Sequence, residues 1–117
     1  MTASITWVQI GDLHMDEADG WQSRDRLERI VAQINTHIGA GADFVFLPGD
    51  NANHATPEQY RVITAALAPL RTPVRVITGD HDFELGHTDH FEAAFSSAER
   101  AEVEVIAGHR CIFLDVI

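Results

Sequence analysis

Three short stretches of the chain carry the residue types that do chemistry: Gly11-Asp12-Leu13-His14, Gly49-Asp50 and Gly79-Asp80-His81-Asp82. Each follows a largely apolar run, Val8-Gln9-Ile10, Phe46-Leu47-Pro48 and Val76-Ile77-Thr78. Runs rich in β-branched and aromatic residues, closed by glycine, read as strands that turn sharply at their ends. If the three strands lie parallel, all three aspartates arrive at one edge of a sheet. Carboxylates gathered there repel one another and resist ionisation unless a cation joins them. Asp12 and His14 offer a hard oxygen and a borderline imidazole two positions apart, a mixture that suits iron, manganese or zinc better than calcium. His81, directly after Asp80, is placed to protonate a leaving oxygen beside such a centre. The plainer alternative is three separate Asx-turns with no convergence.

The segments between the strands carry a helical period. After Ser23, read as an N-cap, the residues Leu27, Ile30, Val31, Ile34 and Ile38 recur on one face of a helix over 24–38. Gly39-Ala40-Gly41 ends it. Thr56-Pro57-Glu58-Gln59 has the form of a capping box with proline at the first helical position. Tyr60, Ile63, Leu67 and Leu70 supply the apolar stripe that follows. A short helix over 89–97 turns Phe91 and Phe95 inward, and alternating segments over 102–106 and 110–116 meet at Gly108 as a hairpin. Strand, helix, strand, helix, strand predicts an α/β fold, a βαβαβ parallel sheet with a C-terminal hairpin. Ligands gather beyond the carboxyl ends of the strands in such sheets. The aspartates are expected at that edge.

Composition narrows the chemistry. The 117 residues are 45% hydrophobic and carry 18 acidic against 8 basic side chains, a net charge of −10. All the basic residues are arginine, which removes Walker-type phosphate loops, Schiff-base lysines and receiver domains, each of which needs a lysine. Nucleic acid gripped by a basic face is excluded as well. An aspartyl-nucleophile phosphatase would want Asp-x-Asp after its first strand, where this chain has Asp-x-His. The single cysteine, Cys111, reads as a small hydrophobe, and the apolar run 5–10 is too short to span a bilayer. The expected setting is cytoplasmic and away from membranes.

With order, strand context and spacing taken together, the three strand ends resemble those of the calcineurin-like metallophosphoesterases, in particular the bacterial branch similar to cyclic-nucleotide phosphodiesterases. That family carries Asp-x-His after the first strand, Gly-Asp after the second and Gly-Asn-His-Asp/Glu after the third. The resemblance implies two metal ions, iron, manganese or zinc, and hydrolysis of small phosphomonoesters or phosphodiesters by metal-activated water. It assigns Asp12 and His14 to one metal, Asp50 to both as a bridge, and Asp80 to the second. His81 would be the acid that helps the leaving group, with Asp82 orienting it. Asp80 departs from the family's asparagine: the added charge would hold a metal more tightly, lower its Lewis acidity and repel substrate phosphate. The family also uses a further histidine and a Gly-His-x-His motif that these residues lack; Gly86-His87-Thr88-Asp89-His90 only imitates it. The expectation is therefore one truncated domain over 1–117, half of a four-layer α/β/β/α sandwich. A C-terminal half or a homo-oligomer would complete it. The rival expectation is a metal-binding half-domain that is catalytically incomplete and acts through a partner.

Overall fold

The computed structural model describes residues 3–115. Three parallel strands, β1 (Trp7–Gln9), β2 (Phe44–Leu47) and β3 (Val74–Val76), form one sheet in the order β1-β2-β3. The register sets Val8 beside Val45, Val45 beside Val74 and Leu47 beside Val76. Helices α1 (Gln22–His37) and α2 (Pro57–Leu67) are the two crossovers. Right-handed crossovers between neighbouring strands, taken in one direction, place both helices on the same face. The buried cluster agrees: Leu27, Val31 and Ile34 of α1 and Tyr60, Ile63 and Leu67 of α2 pack with Val45, Leu47, Val74 and Val76. A short helix, α3 (Asp89–Ala94), closes this layer through Phe91 and Phe95, whose rings meet Tyr60.

The alternate positions of the strands face the other way. Trp7 stacks on Phe44, and Phe113 sets its ring against Phe44 and Phe46. Phe113 follows an antiparallel hairpin, β4 (Val103–Ile106) and β5 (His109–Ile112), turned by Ala107 and Gly108, both with positive φ. That is the two-residue turn whose twist matches paired strands. The last part of the predicted final strand, Val116, lies outside the described residues. Arg75, on the hairpin side of β3, donates from Nε and Nη2 to both carboxylate oxygens of Glu104 on β4, at 2.5 and 2.8 Å. The guanidinium holds the Glu104 carboxyl below its usual value of 4.5. A depressed carboxyl contributes stability above its unfolded pKa and loses it as the pH falls through the folded one. Glu104→Gln is therefore expected to cost about 1 kcal/mol at neutral pH, a value suited to a bidentate but partly exposed pair. Thermal melts of variant and parent should converge in acid.

Helix starts show where local pattern and structure part. Thr56 caps α2 by accepting from the Gln59 backbone N–H at 3.2 Å, as expected. The Gln59 side chain does not return to Thr56; its Oε1 accepts from His54 N and its Nε2 donates to Glu17. Ser23 does not cap α1. Trp21 takes the cap position in a left-handed conformation, and the Asp19 carboxylate accepts from Ser23 N at 3.2 Å. An acidic side chain reaching into a first helical turn satisfies the same orphan N–H and complements the dipole. Ser23 Oγ is used elsewhere, accepting from Asp16 N. Ile38, expected on the buried face of α1, lies beyond its last residue and is exposed. No helix of the described residues is long and apolar enough to cross a membrane.

Candidate metal centre

The three strands deliver their ends to one edge, and backbone pairing continues past them. His14 N donates to Asp50 O at 2.9 Å, Met15 N to Asn51 O at 3.0 Å and Asn53 N to Met15 O at 3.0 Å. The loops after β1 and β2 are thus hydrogen-bonded to each other beyond the strands they leave.

Of the glycines before the aspartates, Gly49 turns as the pattern suggests, at φ 116°, and the aspartates share the turning. Asp12 (φ 53°), His14 (φ 43°) and Asp50 (φ 54°) themselves adopt left-handed backbone, a conformation costing a non-glycine residue about 1–2 kcal/mol. Gly79 is required for closeness instead. A Cβ there would stand 2.5 Å from both the Asp50 backbone nitrogen and Asp50 Oδ1, and one on Gly49 would stand 2.8 Å from Gly79 N. The ends of β2 and β3 touch because neither glycine has a side chain.

Asp12, His14 and Asp50 come together, each offering a ligand atom within 4.8 Å of the others. His14 Nε2 lies 4.0 Å from Asp12 Oδ1 and 3.9 Å from Asp50 Oδ2. Donor atoms that share one ion at bond lengths near 2.0–2.2 Å stand about 3–4 Å apart, so two carboxylate oxygens and an imidazole nitrogen at this spacing fit a divalent metal. Asp50 Oδ1 is occupied, accepting from His81 N at 2.9 Å, which leaves Oδ2 facing His14. The His14 and His81 rings meet edge to face, centroids 4.7 Å apart. Asp80 is exposed and stands outside this group of three. His87 and His90 pair with each other at the start of α3, also outside it.

Asp82 is placed differently from the sequence reading. It is fully buried, and its carboxylate accepts from Asn51 N, Asn51 Nδ2, Ala52 N, Gly79 N and the Tyr60 hydroxyl, the last at 2.6 Å. Burial, and then Asp82 beside it, push the Tyr60 hydroxyl well above the usual phenol range, so it stays a donor. The His81 ring is held instead by Asn53, whose backbone oxygen lies 2.7 Å from His81 Nδ1. Asp82 therefore ties the two glycine-aspartate loops to α2, and orienting His81 falls to another residue. The reason is geometric: a side chain two positions into a 3-10 turn points back toward the turn's start, where it accepts from Gly79 N.

Asn53 is the residue that motif reading missed. Besides its contact with His81, its Oδ1 lies 3.1 Å from His14 Nδ1, and its Nδ2 donates to Asp16 Oδ2 at 2.7 Å. The Ala18 N–H bonded to Asp16 holds that carboxyl below its usual value. Beyond it, His54 Nδ1 pairs with Glu84 Oε2 at 2.7 Å, a contact that raises the His54 pKa. A signal for Asn53 existed only in its distance from Asp50, three residues into the same loop.

The family model of the calcineurin-like phosphoesterases matches residues 5–110. Over 84 residues the chain is 29% identical to a probable cyclic nucleotide phosphodiesterase of Ruthia magnifica subsp. Calyptogena magnifica. That match covers 69% of this chain and 35% of the relative, so the chain spans about a third of the length of the curated protein it matches. With the family pattern running through nearly all the described residues and its first two strand ends converging on one point, the chain belongs to the calcineurin-like phosphoesterase family.

Proposed function

We propose that this chain carries the strand-end half of a dinuclear metal centre that hydrolyses small phosphate esters. The observation that carries the reading is the convergence of Asp12, His14 and Asp50 on strained backbone. Asp12 and His14 would hold one ion, Asp50 would be shared between that ion and a second, and Asp80 would help to hold the second from the loop that Gly79 packs against Asp50. Iron, manganese and zinc suit the mixed oxygen and nitrogen donors. When bound, the ions supply positive charge that draws phosphate to an acidic edge and polarises the reacting oxygens. The chain's own residues do the rest. Asp12, with its side chain 76% exposed, faces the solvent from which substrate arrives. The His81 N–H fixes Asp50 by one oxygen. The His81 ring, steadied at Nδ1 by Asn53 O, would in its imidazolium form donate the Nε2 proton to the leaving oxygen.

A phosphodiester is the favoured substrate class, because the matched relative is named as a probable cyclic nucleotide phosphodiesterase. The exposed position of Asp80, apart from the converged three, favours one further reading: a half-domain that binds metal and reaches activity only with ligands from a partner or second copy. Protein purified without chelator is expected to contain iron, manganese or zinc and to take up Mn²⁺ on calorimetric titration. Metal-free protein that binds no Mn²⁺ would rule out the ligand assignment. Binding without hydrolysis of an aryl phosphodiester would select the half-domain reading.

A further inference from the structure

We propose that Asn53 is a positioning residue that fixes the tautomers of both site histidines, the side-chain carbonyl acting on His14 and the backbone carbonyl on His81. The inference rests on the metal-centre reading above and extends it to a residue outside the three strand-end stretches.

The neighbours of the Asn53 amide fix its orientation. Its Nδ2 lies 2.7 Å from Asp16 Oδ2. A carboxylate only accepts, so the NH₂ end of the amide must face Asp16. The same Nδ2 stands 3.3 Å from His54 Nε2, a second acceptor when that ring carries its proton on the Nδ1 paired with Glu84. Both contacts place Oδ1 on the side of His14, 3.1 Å from its Nδ1. An amide oxygen cannot donate, so His14 Nδ1 carries the hydrogen and Nε2 keeps its lone pair. Nε2 is the atom that faces Asp12 and Asp50. A metal can be held only by the unprotonated nitrogen, and a partner for the opposite ring N–H is what selects it. His81 meets the backbone of the same residue. Its Nδ1 lies 2.7 Å from Asn53 O, again an atom that only accepts, so Nε2 is the nitrogen left free.

Asn53 performs both tasks because its own backbone is anchored independently, by Asn53 N donating to Met15 O and by the bridge between Met15 and Ala52. Truncating the side chain should therefore separate the two effects. The His14 contact is lost, while the His81 contact, which uses the backbone carbonyl, remains.

Nitrogen-15 imidazole spectra of the metal-free protein, recorded in mildly alkaline buffer, read the tautomers directly. The parent is expected to show both His14 and His81 in the Nδ1–H form. Asn53→Ala is expected to return His14 to the Nε2–H form that a free neutral imidazole favours, to leave His81 unchanged, and to weaken Mn²⁺ binding about 10- to 100-fold. The double variant Asn53→Asp with Asp16→Asn exchanges the amide and the carboxylate across the same contact. It should restore the Nδ1–H form of His14. The proposal is overturned if His14 is Nε2–H in the parent, if it stays Nδ1–H in Asn53→Ala, or if both histidines change together, since that last result would make loop collapse the cause. A parent protein with the expected tautomers but no affinity for Mn²⁺ would instead remove the metal-centre reading and leave this one standing.

Discussion

Asp50→Asn is expected to reduce metal-stimulated hydrolysis of an aryl phosphodiester by at least about 10³-fold while leaving the thermal melt nearly unchanged. The fold should tolerate the change for two reasons. Asparagine accepts left-handed backbone as readily as aspartate, and Asp50 sits at φ 54°. The variant also keeps an oxygen to accept from His81 N, the contact made by Asp50 Oδ1. What it loses is one negative charge and the second carboxylate oxygen, the atom 3.9 Å from His14 Nε2. Metal-ion catalysis contributes several kcal/mol to a hydrolytic transition state, and each tenfold in rate is about 1.4 kcal/mol. Initial rates at saturating Mn²⁺, with metal content measured on the same preparations, check the prediction. Unchanged rates would remove Asp50 from the bridging position. If the parent is itself inactive without a partner, the same variant should show its loss in Mn²⁺ affinity.

The second large effect concerns stability. Asp82→Ala is expected to cost about 3–5 kcal/mol, a substantial part of the roughly 5–15 kcal/mol that holds a domain of this size. The carboxylate collects N–H groups from both glycine-aspartate loops and the Tyr60 hydroxyl, all in a fully buried place. Alanine leaves those donors without partners and without room for bulk water. Asp82→Asn keeps one accepting oxygen but turns an NH₂ toward other donors, so its cost should fall between the two. Urea denaturation followed by circular dichroism measures the loss. A midpoint equal to that of the parent would mean the loops are held together by something other than Asp82.

Both predictions depend on contacts that differ in how far the sequence exposes them. The strand ends were legible because a glycine followed by aspartate after an apolar run is a local pattern, and parallel strands then place such patterns together without further information. The helices α1 and α2 were legible from Leu27, Val31 and Ile34 and from Tyr60, Ile63 and Leu67, whose spacing sets one face. Ser23 misled because a serine before a periodic run satisfies the cap rule, and only tertiary placement brings the Asp19 carboxylate to the same N–H. Asp82 misled in a related way. Its neighbour in sequence is His81, but its neighbours in space come from a loop about thirty residues earlier and from α2. Asn53 left only its place three residues after Asp50, since it meets His14 across 39 residues and His81 across 28. Local rules carry residue type and period, and such pairings are decided by packing.

The left-handed backbone at Asp12, His14 and Asp50 bears on how this protein would behave under laboratory selection. Glycine at any of these positions would relieve strain in the folded chain and remove a ligand in the same step. A library screened only for survival at raised temperature would thus be drawn toward variants that have discarded the chemistry, and would report them as improvements. A library screened for turnover would hold the three residues fixed and would have to find heat tolerance elsewhere, in the hairpin or on the exposed face of α1. The two searches begin from one sequence and should diverge first at these three positions.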